Sequence, residues 1–290
     1  MLTGRKWNWF DWLNSLFMIA VCVAMIYPFL HMGSLSLSTS NVSMTQLRLL
    51  PEEMTLANYK KVLTNDFVLS GFVNTLKRTA AGTALSLLAI VFTAYPLAKR
   101  YFPHRTFWTM FIVFTMFFSG GLIPNYLLVK SLGLMNTTWA LILPGLISTF
   151  SMIIARNYFM SLPDSLEESA KIDGANELSI LFKIIIPISM PIIATLTLWT
   201  AVAHWNAWFD SMIYMTDTKK HVLQVVMRRV VLEGTQDMVD INTLEDSNAS
   251  VNPETIKAAT VMVTIIPIIM FYPFLQKYFV KGVLVGSLKG

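Results

Sequence analysis

The chain has 290 residues, of which 54% are hydrophobic and only 13% charged, with a formal net charge of +5. A soluble domain carries about 25% charged residues, so this composition cannot cover a water-facing surface and selects a membrane protein. The basic residues lie in scattered pairs between apolar runs, which suits attraction to anionic lipid and argues against a nucleic-acid-binding stripe.

Residues 1–11 mix Arg5, Lys6 and Asp11 with Trp7, Trp9 and Phe10, as at a membrane interface. Residues 12–32 form a first apolar run of about 20 residues, enough to cross a bilayer. It exceeds the apolar core of about 7–15 residues found in a cleaved signal, so it reads as a signal anchor. Cys22, the only cysteine, lies in this run and reads as a small buried residue. With one cysteine there is no intrachain disulfide and no cysteine metal site. Residues 33–70 are polar and mixed, an external loop with a short amphipathic helix at LANYKKVL.

The second span is placed at 79–98, followed by a basic turn of Lys99, Arg100, His104 and Arg105. The third runs over 107–129 and is broken near Ser119, Gly120, Gly121 and Pro124, where the helical ladder loses a donor. The fourth covers 139–160, a polar stretch covers 161–186, and the fifth span covers 187–209. Residues 210–255 are acidic (Asp210, Asp217, Glu233, Asp237, Asp240, Glu245, Asp246 and Glu254), with VLQVVMRRVVL as a helix on or beside the membrane. The sixth span is 256–274, and the tail carries Lys277, Lys281 and Lys289. The expected fold is all-α, a polytopic membrane protein with six transmembrane helices. It divides into 1–70, a core at 71–280, and a tail at 281–290.

Six spans place both ends on one side. If that side is inside, the inner segments hold Arg5, Lys6, Lys99, Arg100, Arg105, Arg156, Lys171, Lys183, Lys277, Lys281 and Lys289. The outer segments then hold the other eleven of 22 basic residues, so the positive-inside rule returns a tie.

Residues 165–187 read SLEESAKIDGANELSILFKIIIP. Ser165 and Glu168 have the spacing of a capping box that starts a helix. Gly174, after Asp173, supplies the left-handed conformation of a helix stop. Asn176 can cap a second short helix that runs to Pro187. The result is a helix–turn–helix projecting from the bilayer, either a solvated hairpin or a docking element.

The series Glu168, Ser169, Ala170, then Gly174, then Ile184, Ile186 and Pro187 resembles the EAA loop of ATP-binding-cassette importer permeases. That family reads Glu-Ala-Ala, three residues, Gly, nine residues, Ile-x-Leu-Pro. Here Ser169 replaces the second residue and Ile186 the leucine, with the spacing kept. Further stretches, SGGLIPNYLL at 119–128, LGLMNTTWALILPG at 132–145, WNAWFD at 205–210 and YPFLQKYFVKG at 272–282, are similar to the branch that handles complex saccharides.

The resemblance implies an importer permease fold and a coupling loop at 161–187. Glu168, Ala170, Asp173, Gly174, Ala175 and Pro187 would meet the ATPase there. It implies a homologous permease partner, two ATPase subunits and an extracytoplasmic solute-binding protein. It also implies a bacterial plasma membrane with both termini cytoplasmic. This chain has no G-x-x-x-x-G-K-[ST] phosphate loop, so ATP and Mg would be bound by the partner ATPase. No cofactor, catalytic residue or metal site is expected in the chain itself. His31, His104, His204 and His221 are far apart and lack H-E-x-x-H spacing.

A saccharide route needs aromatic faces and hydrogen-bonding side chains within the spans. The candidates are Phe118, Asn125 and Tyr126; Arg156 and Asn157; and Trp199, His204, Trp205, Asn206, Trp208 and Asp210. Trp205, Trp208 and Phe209 have i, i+3, i+4 spacing and share a face if the fifth span is one helix. The same cluster fits an interfacial tryptophan belt. Pro96, Pro124, Pro187, Pro191, Pro267 and Pro273 are hinge candidates or static kinks. The rival reading, an autonomous carrier or channel, calls for paired ionisable groups inside the spans, and these spans are nearly free of acidic residues.

Overall fold

The computed structural model describes residues 8–39, 51, 53–232 and 252–287. In chain order its helices are α1 (Trp9–Ser36), α2 (Ala57–Thr64), α3 (Asp66–Ala98), α4 (Arg105–Phe117), α5 (Leu122–Ser131) and α6 (Thr149–Met160). They continue with α7 (Ser165–Ile172), α8 (Glu177–Ile180), α9 (Ile186–Ile188), α10 (Met190–Asn206), α11 (Phe209–Tyr214), α12 (Leu223–Leu232) and α13 (Pro253–Ser287). Among the described residues there is no strand, only an isolated bridge between Ser38 and Met54. The fold is all-α. Glu233, Asp237, Asp240, Glu245 and Asp246 of the acidic stretch lie outside the described residues, as do Arg5, Lys6 and Lys289.

Among the described residues three helices are long and apolar enough to cross a membrane: α1, α3 and the first 18 residues of α13. Three bent pairs reach that threshold together, giving six spans if each pair is one. The break expected in the third run is present, and the fourth and fifth runs are bent where unbroken spans were expected. α4 and α5 meet at 111°, so the third apolar run turns sharply instead of kinking. Pro124 lies in the first turn of α5, where a missing N–H costs nothing, and the break falls at 118–121. The fourth run does not start as an α-helix. Thr138–Leu141 and Leu143–Gly145 are 3-10 turns, bent 53° from α6, because Pro144 and Gly145 interrupt regular helix. The fifth run breaks by 84° at Ser189, before α10.

Residues 1–68 with 227–266 form one compact unit, and 69–226 with 267–290 another. In the first, no residue of α1's most apolar stretch is buried, and Cys22 is exposed rather than buried. A helix apolar on every face is a membrane span. Its last turn is covered, with Leu35 packed on Ala258. Asn58 of α2 is buried there. Its amide donates to Ser36 and Ser38 carbonyls at 3.0 and 2.9 Å and accepts from Thr255 at 3.2 Å. The LANYKKVL helix thus clamps the end of α1 to the start of α13.

The helix α3 starts at Asp66, well before the expected 79. Asn65 caps it by accepting from the Phe67 and Val68 amides. Its C-terminal half packs on α6, α8 and α10 through Ile90, Ala94, Tyr95, Met152, Phe159, Ile180 and Leu196. A second cluster joins Val129, Leu141, Tyr214, Val222 and Val225.

Candidate functional site

The stretch 165–188 folds as two short helices. α7 is preceded by Asp164, not capped by Ser165. Asp164 has helical backbone angles and its carbonyl accepts from Glu168 at 3.1 Å. The expected capping box is therefore absent, and Glu168 is left exposed on the first turn of α7. The stop is as expected. Gly174 has φ +79, its amide donates to Lys171 at 3.0 Å, and the Ala175 amide donates to Ala170 at 2.9 Å. These two bonds form a Schellman closure, which requires the left-handed residue that glycine supplies without a Cβ penalty. Asn176 caps α8 through its side chain, accepting from Ser179 at 2.8 Å. Leu181–Ile185 then opens into a π-helix before α9, which contains the exposed Pro187.

Ala170 is buried, while Asp173 and Ile172 face outward, Ile172 at 86% exposure. The hairpin is tied to the end of α3 by groups that sequence reasoning missed. Glu177 accepts from the hydroxyls of Tyr95 at 3.1 Å and Tyr101 at 2.9 Å, and pairs with Lys171 at 2.8 Å. Lys99 pairs with Glu167 and lies 4.4 Å over the Tyr95 ring; Lys171 lies 4.7 Å over Tyr101. Burial lowers the Lys99 ammonium to about 8, with Glu177 and Asp164 opposing the change. Burial and Glu177 raise Tyr101, and the bond to Glu177 raises Lys171.

Burial pushes the Glu177 carboxylate up, but bonds from Lys171, Tyr101 and Tyr95 outweigh it and hold the group below its ordinary value. A carboxylate lowered in the folded state stabilises above its unfolded value and loses that contribution as pH falls through the folded one. The melting-temperature gap between wild type and Glu177→Gln is therefore expected to hold at neutral pH and to narrow below about 4.3, the unfolded value for Glu. A gap that stays constant into acid would show that the charge of Glu177 plays no part.

The second place is a cavity of about 560 Å³. Trp199, His204 and Asp210 line it, and Tyr126 stacks on its wall residue Tyr214 at 6.5 Å. The other candidates are not brought to it. Phe118 stacks on Phe114, Trp205 is buried edge-on to Phe72, and Asn157 accepts a long bond from Arg156. Asn125 and Asn206 are exposed and do not line it. α10 ends at Asn206 and α11 begins at Phe209. Trp205, Trp208 and Phe209 therefore do not share one helix face, and Trp208 meets Phe209 edge-on.

The residue that organises the cavity is Arg78, which sequence reasoning passed over. It is 3% exposed, and its guanidinium donates to both carboxylate oxygens of Asp210 (Nη1 to Oδ1, 3.0 Å) and to the Ala207 and Leu141 carbonyls at 3.3 Å. His204 reaches α3 only because Gly82 has no side chain; a Cβ there would lie 2.6 Å from the imidazole. Among the described residues no group of histidine, cysteine and carboxylate side chains has the arrangement of a metal site.

The model of the binding-protein-dependent transport system inner membrane component family matches residues 67–285. The polygalacturonan/rhamnogalacturonan transport system permease protein YtcP of Bacillus subtilis (strain 168) is 40% identical over 283 residues, 97% of this chain and 98% of that protein. Protein LplC of the same strain is 42% identical over 282 residues, covering 97% and 95%. A crystal structure of a bacterial ABC transporter involved in the import of the acidic polysaccharide alginate superposes with a TM-score of 0.88 at 32% identity. The match covers 95% of this chain and all of that one. The apolar helices, the hairpin at 165–188 and these matches together place the chain in the binding-protein-dependent transport system inner membrane component family, as an ABC importer permease subunit.

Proposed function

We propose that this subunit forms half of the translocation pathway of an ATP-driven importer for an oligosaccharide or polysaccharide fragment. Its partners are a homologous permease, two ATPase subunits that bind ATP and Mg, and an extracytoplasmic solute-binding protein. Both termini are cytoplasmic, so that the hairpin faces the ATPase. The observation that carries the coupling role is the hairpin itself. It presents Glu168, Asp173 and Ile172 outward while Lys99, Tyr95 and Tyr101 anchor its base to α3. A push on the hairpin is thus delivered to a long span. An exposed carboxylate such as Glu168 suits a charge-assisted bond to a basic residue of the motor. The saccharide cargo is supported by the substrates named for YtcP and for the alginate importer and by the aromatic and hydroxyl lining of the cavity. The chain itself performs no covalent chemistry.

The test is ATP hydrolysis by the complex purified through this subunit, with saccharide-loaded binding proteins added in turn. One loaded protein is expected to stimulate hydrolysis in wild type, and Glu168→Lys is expected to remove the stimulation. If no ATPase copurifies, or if Glu168→Lys behaves as wild type, the coupling role fails.

A further inference from the structure

Two arginines stand close together where α4 begins and α6 ends, and no carboxylate pairs with either. Arg105 is the first residue of α4, and Arg156 lies one turn before the end of α6. The Arg156 Nε donates to the Leu97 carbonyl at 3.0 Å, while its Nη1 makes only a long 3.5 Å bond to Asn157. Arg105 is near enough for the two charges to act on one another, and among the described residues neither joins an ion pair. The Arg105 Nη1 is buried without a partner and out of a ligand's reach. Its Nε and Nη2, and the Arg156 Nη2, also donate to nothing among the described residues, but these three atoms are not buried. Arg105 is disfavoured twice, by the like charge beside it and by the positive end of the helix on which it stands. One anion shared by the three free donors relieves both.

The surroundings select the kind of anion. The first turn of α4 exposes Phe107 at 61% and Trp108 at 46%, edge-on to one another, and α6 ends on the exposed Met160. Tryptophan beside a cation at the end of an apolar helix marks the headgroup level of a bilayer, and arginine can carry its charge out to that level on an apolar stem. Leu97 lies two residues before Lys99, which holds Glu167 of the hairpin. The pair therefore lies on the hairpin side of the membrane.

We propose that Arg105 and Arg156 form a phosphate site for the headgroup of an anionic phospholipid, whose chains lie along Phe107, Trp108 and Met160. Guanidinium groups hold phosphate oxygens through paired N–H donors, and basic pockets between membrane helices suit such headgroups. Charge decides which lipid fits. A choline headgroup carries a cation of its own and would bring a third positive charge to the two arginines. A glycerol headgroup brings the phosphate with hydroxyls and no cation. The site is independent of the solute carried, because it needs only a chain seated in a bilayer.

The test uses the complex purified through this subunit in neutral detergent. Native mass spectrometry measures the binding of phosphatidylglycerol, phosphatidylcholine and inorganic phosphate, each offered alone. The tightest-bound phosphatidylglycerol is expected to exceed phosphatidylcholine in affinity by roughly tenfold or more, and inorganic phosphate to bind more weakly still because it lacks the chains. Arg105→Gln and Arg156→Gln are each expected to weaken that binding by roughly tenfold, whereas Lys183→Gln, at an exposed lysine elsewhere, is expected to retain it. A second arm needs no variant. Phosphatidylglycerol with a photoreactive group beside its headgroup is expected to label wild-type peptides that contain residues 105–108 or 156–160. Equal affinity for the two lipids, inorganic phosphate bound as tightly as lipid, both arginine variants binding as wild type does, or labelling confined to other peptides would each overturn the proposal. Loss of copurifying ATPase from the arginine variants, with lipid binding intact, would overturn it in favour of a carboxylate of the motor.

Discussion

Asp210→Ala is expected to cost about 3–5 kcal/mol of stability, the penalty for leaving one member of a buried ion pair unmatched, and to abolish uptake. Among the described residues its other acceptors are the carbonyls of Ala207 and Leu141, and neither carries a charge. The loss should be visible as a lowered melting temperature of the detergent-solubilised complex and reduced yield of assembled transporter. The double variant Arg78→Met with Asp210→Leu separates stability from transport. Removing both charges together leaves no orphan ion and is often neutral for stability, so the melting temperature should return most of the way. Uptake should not, because the polar wall of the cavity is gone. If Asp210→Ala melts as wild type does, the pair is not buried as described.

Gly174→Val is the second large effect, and it falls on coupling. At φ +79 a β-branched residue is an outlier of the allowed backbone, and left-handed geometry costs about 1–2 kcal/mol for an L-residue. To relieve it the chain must give up the Ala175-to-Ala170 and Gly174-to-Lys171 bonds, so α7 and α8 splay. The complex should still assemble through its membrane helices, while hydrolysis no longer responds to loaded binding protein. Gly174→Asn should keep a substantial part of the response, since asparagine tolerates the left-handed region. Among the described residues nothing lies within 4 Å of where a Cβ would stand, so a failure of valine is not explained by crowding within this chain. Equal behaviour of the valine and asparagine variants would show that backbone conformation at 174 does not matter.

The parts that could be read from the sequence are those that depend on neighbours along the chain. The apolar runs, the stop at Gly174 and the cap at Asn176 are all local, and all appear in the structure. The capping box at Ser165 was misplaced because Asp164 already has helical backbone geometry and its carbonyl takes the role of helix start. What could not be read depends on partners far away in the chain. Arg78 and Asp210 are 132 positions apart, and Tyr95 and Tyr101 are 82 and 76 positions from Glu177. Hydropathy alone ranks Arg78 as a polar residue near the start of a span. Only the packing of α3 against the loop after α10 makes it the centre of a cavity. The break at Ser119, Gly120 and Gly121 was legible, but its 111° angle and the 3-10 stretch before α6 were hidden for a related reason. An apolar run announces that it belongs in lipid, but says little about the path it takes there.

The π-helical turn at Leu181–Ile185 has a consequence for the pairing of subunits. Such a turn is an α-helix carrying one additional residue, and one residue of α-helix corresponds to about 100° of rotation. If the hairpin docks as proposed, the azimuth at which Ile172 and Glu168 would meet the motor is therefore set by the number of residues between α8 and α9, at a point that need not touch the motor at all. A permease lacking that residue would carry the same docking side chains aimed elsewhere. Two transporters in one cell could keep their motors from interchanging by a difference in length alone.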